Sequence, residues 1–356
     1  MEPASSYTTL VSYIPAPLLR AVCASPQMPT TPSANRVQTA LLFADVSGFT
    51  PLTEKLAQHG PRGAEELTRV MNAYFDGMIT LLAVEGGEVV KFGGDALFVL
   101  FPAHDAPLAA AVARARRAAQ TMQAAMGTFQ PLATIGGPVH LSMKVAIGAG
   151  EVSALHLGGV HDRWEYVIAG DPLRQVAEAE QQANKGEIVF SPEAHTLLTT
   201  AVAAPPPAPG GAAALPATMS VEEVAPILRC YVPLAVQTAL QSGHHHVLAV
   251  LRPMNVLFVK VNGLDDHDPA LLTHLHILLR AVQTTVYHYE GSVVRVAVDD
   301  KGTVLLILFG APPQAHEDDP RRAVRCALDL EAQTQSRPLA QMGLSLSLGI
   351  TTGQVF

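Results

Sequence analysis

Leu41–Thr50 read LLFADVSGFT, and Val89–Phe101 read VVKFGGDALFVLF. In each stretch apolar residues meet a small-residue turn that carries an aspartate, Asp45 or Asp95. Apolar residues at helical spacing lie between the two stretches, so we predict a strand, a helix and a hairpin in that order. These helical positions are Leu67, Val70, Met71, Tyr74, Met78, Leu81 and Leu82. Because this topology puts one aspartate at a strand end and the other in the hairpin, we expect the two carboxylates side by side.

A carboxylate pair at such turns has three ordinary interpretations: turn capping, an acid/base pair or a divalent-metal site. Ser47, Gly48, Phe49 and Thr50 follow Asp45 and form a small-residue turn ahead of the helix. Backbone N–H groups in such a turn can bind an anion. Carboxylates beside an anion site favour the metal interpretation, because Mg²⁺ binds one or two carboxylates and the phosphates of a substrate. The stretch therefore predicts a two-metal site for a nucleoside triphosphate, with these four residues at its phosphates.

The motifs FADVSGFT and KFGGDAL resemble the metal-binding half of class III nucleotidyl cyclases. The whole chain resembles the tandem-domain, soluble, bicarbonate-responsive adenylyl cyclases and their bacterial relatives. This resemblance implies an α+β fold with two tandem class III cyclase domains, each on a ferredoxin-like or palm-like βαββαβ core, that form a pseudo-two-fold pair. It also implies adenylate cyclase activity, in which the ribose 3′-hydroxyl of ATP attacks the α-phosphorus and releases cyclic AMP and pyrophosphate.

The same resemblance implies roles for residues of the first domain. Asp45 and Asp95 would be the catalytic residues and would bind two Mg²⁺ or Mn²⁺ ions, with the Val46 carbonyl completing one shell. Lys144 lies in a segment that alternates apolar and polar residues, as a strand does. In the family a basic residue here reaches the terminal phosphates, whereas a solvated strand lysine is the alternative for Lys144.

From Asn255 onward the plan of the first domain recurs as an internal repeat. NVLFVKVNGL matches LLFADVSGFT, GSVVRVAVDDKGTVLLILFG matches GGEVVKFGGDALFVLFP, and LSLSLGITTGQVF matches LSMKVAIGAGEVS. Lys260 stands where Asp45 stands, so the second repeat is not expected to bind the same metals. Arg295 aligns with Lys91 at the position where adenylyl cyclases contact the purine, which implies a base pocket at Arg295 and Val296.

Two features of this sequence differ from those of a complete member of the family. Family domains carry an Asn and, four residues later, an Arg that stabilises the transition state, but this sequence has Arg174 and Glu178 there. A carboxylate would repel the developing charge. The second repeat also ends before its own equivalent helix, so we expect an incomplete second domain and very slow or no turnover by this chain.

The soluble family binds bicarbonate at a second, pseudosymmetric site that uses a Lys and an Arg. Lys91 fits the Lys position and Val167 is the neighbouring candidate, whereas the Arg position falls on Ala177, with Arg174 one turn earlier. Bicarbonate regulation through Lys91, Arg174 and Val167 is therefore a hypothesis that the resemblance suggests.

The predicted domain organisation follows from these segments. We expect an N-terminal arm over 1–36, a first cyclase domain over 37–198, a linker and helix over 199–246, and a truncated second cyclase domain over 247–356. The linker contains AVAAPPPAPGGAAALPA, a Pro/Ala/Gly tract that is typical of connectors without a core.

Composition limits the partners and the location. The 356 residues carry a net charge of -8, which argues against nucleic acid as a partner because nucleic-acid binders carry a basic face. No apolar stretch of about 20 residues predicts a membrane span, and the N-terminus lacks a basic leader. Cys23, Cys230 and Cys326 are scattered, which favours a reducing compartment and a cytoplasmic location.

Three other functions stay open. A diguanylate cyclase also uses a Gly-Gly-Asp hairpin but continues with an acidic residue and Phe, whereas Ala96 and Leu97 follow here. A guanylate cyclase stays open because the residues do not settle the base. A non-catalytic nucleotide-sensing module would explain the missing transition-state groups.

Overall fold

The computed structural model describes residues 9–129, 132–200, 220–241, 252–265, 268–299, 302–335 and 339–355. Its framework consists of two antiparallel sheets, one for each sequence repeat. This arrangement confirms the predicted α+β fold with two tandem units. The Pro/Ala-rich part of the predicted linker lies outside the described residues. Within the described ranges, no helix has the length and apolar character needed to cross a bilayer.

The first repeat is a sheet in the strand order β2-β3-β1-β4-β5, with β6 added parallel to β4. The amphipathic helix α3 buries Leu67, Val70, Tyr74, Met78 and Leu82 against it, as their spacing predicts. The elements are α1 (Ala16–Ala24), β1 (Ser33–Ser47), α2 (Phe49–Ala57), α3 (Gly60–Val84), β2 (Glu88–Gly93), β3 (Ala96–Pro102), α4 (Leu108–Ala125), β4 (Ser142–Val160), β5 (Arg163–Ala169), α5 (Asp171–Gln182), β6 (Ile188–Phe190) and α6 (Pro192–Thr200).

The second repeat has the strand order β10-β7-β9-β8, which reproduces the order β4-β1-β3-β2 of the first. Lys260 pairs with Ser347 across β7 and β10, as Asp45 pairs with Lys144 across β1 and β4. The elements are α7 (Val221–Arg229), α8 (Leu234–Gln241), β7 (Arg252–Asn262), α9 (Leu271–His288), β8 (Ser292–Asp299), β9 (Gly302–Phe309), α10 (Asp319–Thr334) and β10 (Ser345–Val355).

The N-terminal segment forms a small helical core of its own with the residues that precede the second repeat. Leu18 and Leu19 of α1 are buried together with Val224 and Leu228 of α7. The segment also contacts the first sheet, where the Arg20 guanidinium donates to the Glu88 carboxylate at 2.7 Å. Strand β1 begins at Ser33, inside the range expected to be an arm.

The two repeats contact each other through α9 and the hairpin between β4 and β5. Gln283 of α9 is fully buried. Its Nε2 donates to the Arg163 carbonyl at 3.0 Å, and its Oε1 accepts from the Val160 N–H at 3.3 Å. A Cβ at Gly158 would lie 2.7 Å from Gln283 Nε2, so this close approach requires glycine. The contact joins the two sheets into one unit.

Each repeat carries a β-bulge in the first strand of its hairpin. The register shifts between Val89 and Lys91 in β2 and between Val293 and Arg295 in β8. A bulge leaves one residue unpaired and changes the direction in which its neighbours point. The bulges therefore occur immediately before Lys91 and Arg295, the two residues that the repeat alignment equates.

Candidate active site

The first carboxylate of the site lies at the end of β1. Asp45, Val46 and Ser47 are the last three residues of this strand, and Asp45 is directly opposite Lys144 of β4. Val46 is buried, whereas Asp45 and Ser47 are half-buried. The strand ends here because Gly48 adopts φ +116° and turns the chain into α2.

The second carboxylate lies in the turn between β2 and β3. Gly93 pairs with Ala96, which leaves Gly94 and Asp95 as a two-residue loop. Gly94 has φ +77°, a conformation that tight hairpins need and that glycine adopts without strain. Because β3 pairs with β1, this loop lies beside the strand end that carries Asp45.

The carboxylate of Asp45 is influenced by three other charged side chains. Burial raises the pKa of Asp45, and the charges of Asp95 and Glu180 raise it further, while Lys144 lowers it. Burial also raises the pKa of Asp95, against a lowering by its own backbone N–H. The pKa of the Tyr74 phenol is raised by burial and by both aspartates. Pairing of β1 with β3 and β4 therefore places the Asp95 loop beside the end of β1 and Lys144 opposite Asp45.

This group of residues fits a hard divalent cation. Two half-buried carboxylates that repel each other are stabilised by a cation between them, and oxygen ligands match Mg²⁺ or Mn²⁺. Among the described residues no cluster of three or more His, Cys, Asp and Glu side chains forms a metal site. The remaining ligands would come from backbone carbonyls such as that of Val46 and from substrate phosphates, as is usual for Mg²⁺.

The start of α2 supplies an anion site next to the carboxylates. Phe49 and Thr50 occupy its first turn, where backbone N–H groups have no intrahelical acceptor. The preceding Gly48 is required because a Cβ there would lie 2.8 Å from the His140 carbonyl oxygen. Phe49 is buried, and Thr50 is exposed. The predicted phosphate-binding turn is thus adjacent to the carboxylate pair.

Lys144 has a partner that the sequence did not reveal. Its Nζ contacts Glu180 Oε1 of α5 at 3.0 Å, and the two side chains are 26% and 24% exposed. No spacing rule connects a strand residue with a helix residue 36 positions later. Only the packing of α5 on β4 brings Glu180 to the site.

A cavity of about 220 Å³ lies between the repeats. Lys91 and Val167 of the first repeat and Arg295 and Val296 of the second line it. The Lys91 ammonium also lies 4.8 Å from the centre of the Phe98 ring. The predicted base-binding and bicarbonate residues therefore share one cavity, with the two bulged strands facing each other across it.

Arg174 does not line this cavity. Its guanidinium donates to Asp171 at 2.5 Å and to Glu178 at 2.7 Å on the exposed face of α5. These carboxylates are three and four residues away, the spacing at which helical side chains meet. The guanidinium of Arg174 is therefore engaged in ion pairs on its own helix.

The second repeat also reaches the hairpin that carries Asp95. A Cβ built on Gly93 would lie 3.7 Å from Arg295 Nη2, and Gly93 directly precedes the hairpin loop. Arg295 therefore lies near the candidate metal site as well as in the cavity.

Tyr74 is a further member of the site that pattern analysis counted only as an apolar core residue. It is fully buried, and its hydroxyl contacts Met143 Sδ at 3.6 Å. The Phe49 ring packs edge-on at 5.5 Å between ring centres. The amphipathic character of tyrosine is the one signal that could have suggested a polar role.

The structure thus combines two pseudosymmetric sheets, an aspartate pair and a helix start beside that pair. Residues 32–205 match the family described as "Adenylate and Guanylate cyclase catalytic domain". This segment, just under half of the chain, contains the aspartate pair, the start of α2 and Lys144.

Known proteins similar to the chain are cyclases or cyclase-like proteins. Human "Adenylate cyclase type 10" is 23% identical over 376 residues, which cover 92% of this chain and 22% of that protein. "Photoactivated adenylate cyclase subunit beta" of Euglena gracilis is 29% identical over 50% of this chain and 19% of its own length. The chain thus spans about a fifth of the length of the curated relatives it matches.

Among solved structures, the chain is similar in fold to a "Class III adenylyl cyclase-like ATP-binding protein from Pseudomonas aeruginosa". The TM-score is 0.60 and the identity 16%, and the match covers 99% of this chain and 84% of that one. The similarity extends over both repeats and confirms the predicted cyclase fold.

Proposed function

We propose that the chain binds ATP with two Mg²⁺ or Mn²⁺ ions between its repeats and converts it to 3′,5′-cyclic AMP and pyrophosphate. The observation that carries this proposal is the approach of Asp45 to Asp95 beside the start of α2, with Arg295 of the second repeat next to the same hairpin. When bound by Asp45, Asp95 and the Val46 carbonyl, the ions would stabilise phosphate charge and lower the pKa of the ribose hydroxyl.

Different groups of the protein would bind different parts of the nucleotide. The N–H groups of Phe49 and Thr50 would donate to phosphate oxygens at the positive end of α2, next to Ser47 and Gly48. Lys144 would neutralise a terminal phosphate. Arg295 would donate to a purine ring nitrogen and Val296 would pack beside the base.

We propose ATP over GTP because the curated relatives are adenylate cyclases. Arg295 alone does not choose between the purines, since both offer ring-nitrogen acceptors. A guanylate cyclase is therefore the alternative for the same site, and comparison of the two triphosphates decides between them.

We expect the chain to bind the nucleotide but to catalyse its conversion to cyclic AMP slowly. On α5 the family position for a cationic group is occupied by Glu178, whose carboxylate pairs with Arg174. A carboxylate offers no stabilisation to charge that develops on the α-phosphate. The same observation supports a second candidate function, a nucleotide-sensing module that binds ATP without chemistry.

We also propose a small-anion site for bicarbonate beside Lys91 and Val167. Lys91 brings a positive charge and Val167 an apolar wall to one side of this cavity, a combination that suits a small anion. Arg174 is held outside by Asp171 and Glu178, so Lys91 carries this site in the present conformation. Bicarbonate at fixed pH should raise activity or nucleotide affinity, and Lys91→Ala should abolish the rise.

A cytoplasmic location is part of the same proposal. Cys23, Cys230 and Cys326 are all free thiols in the structure, which supports a reducing compartment. Two of them, Cys230 and Cys326, are buried.

The test of the shared site is the affinity for a fluorescent ATP analogue with Mn²⁺, in the wild type and in Arg295→Ala. Loss of a charge-assisted hydrogen bond should weaken binding about tenfold. Arg321→Ala, which removes the same charge from an exposed position of the second repeat, is the matched control. Equal affinity of Arg295→Ala and the wild type would contradict a site shared between the repeats.

Incubation of the wild type with ATP and Mn²⁺, followed by chromatography for cyclic AMP, separates the two candidate functions. A product peak that depends on Asp95 supports the cyclase. Tight Mn²⁺-dependent binding without any cyclic AMP supports the sensing module.

A further inference from the structure

The contact between Lys144 and Glu180 lies at the candidate phosphate site but serves no role proposed above. Lys144 is directly opposite Asp45 in the β1–β4 ladder, and such cross-strand neighbours have Cβ atoms about 5 Å apart. The Nζ of Lys144 nevertheless contacts Glu180 Oε1 at 3.0 Å. Glu180 in turn raises the pKa of Asp45, so its charge is felt at the carboxylate pair.

Glu180 is presented by a helix that is fixed on the sheet. Gln175 of α5 is buried, its Oε1 accepts from the Ala149 N–H at 2.9 Å, and its Nε2 donates to the Ala149 carbonyl at 3.1 Å. Ser191 donates to the same Oε1 at 2.9 Å. Because these bonds anchor α5 to β4, Glu180 is held beside Lys144 by the fold.

We propose that Glu180 is a specificity-determining residue that occupies Lys144 until a metal-loaded polyphosphate displaces it, so that polyphosphate without metal is rejected. This inference rests on the proposed function, since it assumes that Lys144 contacts phosphate.

The charges at this site explain why polyphosphate with bound metal is preferred over polyphosphate without metal. Lys144 is paired with Glu180, and Asp45 and Asp95 are the candidate metal ligands beside this pair. Metal-free polyphosphate therefore finds its lysine already paired with Glu180. Divalent cations change this situation, because the carboxylates attract the cations and the cations bring their bound phosphates to the site.

The test is the dissociation constant for inorganic tripolyphosphate, measured by calorimetry in EDTA and again in saturating Mg²⁺. Glu180→Gln should tighten binding in EDTA about threefold to fivefold, the range expected for a partly exposed ion pair. In Mg²⁺ the gain should fall below about twofold, because Glu180 also attracts the cations.

Glu193→Gln is the matched control. It makes the same change of charge at an exposed position in the first turn of α6, whereas Lys144 pairs with Glu180. It should leave both dissociation constants within about twofold of the wild type, since screened surface charges contribute little. Thermal midpoints of both variants establish that α5 and α6 remain folded.

Lys144→Gln completes a double-mutant cycle. In the Lys144→Gln background, Glu180→Gln should give no gain beyond that of Glu193→Gln. An equal gain in both backgrounds would mean general repulsion and would overturn the inference.

The cycle also separates this inference from the proposed function. If Lys144→Gln weakens tripolyphosphate binding but Glu180→Gln does not strengthen it, only the role of Glu180 is wrong. If Lys144→Gln leaves the dissociation constant unchanged, Lys144 does not bind phosphate, and both the phosphate assignment and this inference fail.

Discussion

Replacement of Gln283 by Leu tests how the two repeats are held together. Gln283 is fully buried and makes two hydrogen bonds to the backbone of the β4–β5 hairpin, to Arg163 and Val160. Leu has a similar volume, so the change removes the hydrogen bonds without leaving a large cavity. Each lost bond leaves a partly buried backbone group unpaired at about 1 kcal/mol, so the free energy of unfolding should fall by about 2 kcal/mol.

The assay is urea unfolding followed by circular dichroism, with Thr284→Ala as the control. Thr284 is the next residue of α9, is exposed, and bonds only within its own helix at the Arg280 carbonyl. Its change should stay within about 0.5 kcal/mol. A loss for Gln283→Leu no larger than that of the control would refute the claim that this residue joins the repeats.

Two further predictions concern backbone strain and pH. Gly48→Ala should destabilise the protein by about 2 kcal/mol and weaken Mn²⁺–ATP binding, because φ at this position is +116° and the His140 carbonyl blocks a Cβ. The control Gly77→Ala, where a Cβ would enter open space on α3, should change neither property. Urea unfolding measures the stability of both variants, and a binding titration measures their affinity. His156 has its pKa lowered by burial and bonds to the Tyr231 hydroxyl at 2.8 Å. Its neutral form stabilises the fold above about pH 6.5, the pKa of an unperturbed histidine, and that stability is lost as pH falls from there through the lowered pKa of His156 in the folded protein. The wild-type thermal midpoint should therefore drop over this range more than that of His156→Phe, and parallel curves would contradict this.

The sequence predicted the elements that depend on local pattern. Asp45 and Asp95 follow apolar runs and adjoin glycines, which specify a strand end and a tight hairpin whatever surrounds them. The second sheet follows from the repeat itself. The position of Lys260 opposite Ser347 agrees with the alignment that placed it at the Asp45 position.

The features that the sequence did not predict depend on tertiary packing. The bulges before Lys91 and Arg295 shift the register by one residue and have no residue-type signal in these apolar strands. Their consequence is that both residues line one cavity. Likewise, the contact of Glu180 with Lys144 follows only from how α5 crosses β4.

The positions of the N-terminal segment and of the Arg174 side chain also could not be predicted from the sequence. The apolar face of α1 could pack on any exposed apolar surface, and its choice of α7 involves residues about 200 positions away in the chain. The guanidinium of Arg174 could bind an anion, but carboxylates three and four residues away on the same helix are its immediate neighbours. Its local ion pairs therefore decide where its guanidinium points.

The central claim is that Asp45 and Asp95 jointly bind two divalent ions with a nucleotide. It is tested most directly by counting bound Mn²⁺ by electron paramagnetic resonance in the presence of a non-reactive ATP analogue. We expect two bound Mn²⁺ ions per chain for the wild type and for Asp76→Asn, an exposed aspartate of α3, and fewer than one for Asp45→Asn combined with Asp95→Asn. Two tightly bound ions in the double variant would contradict it.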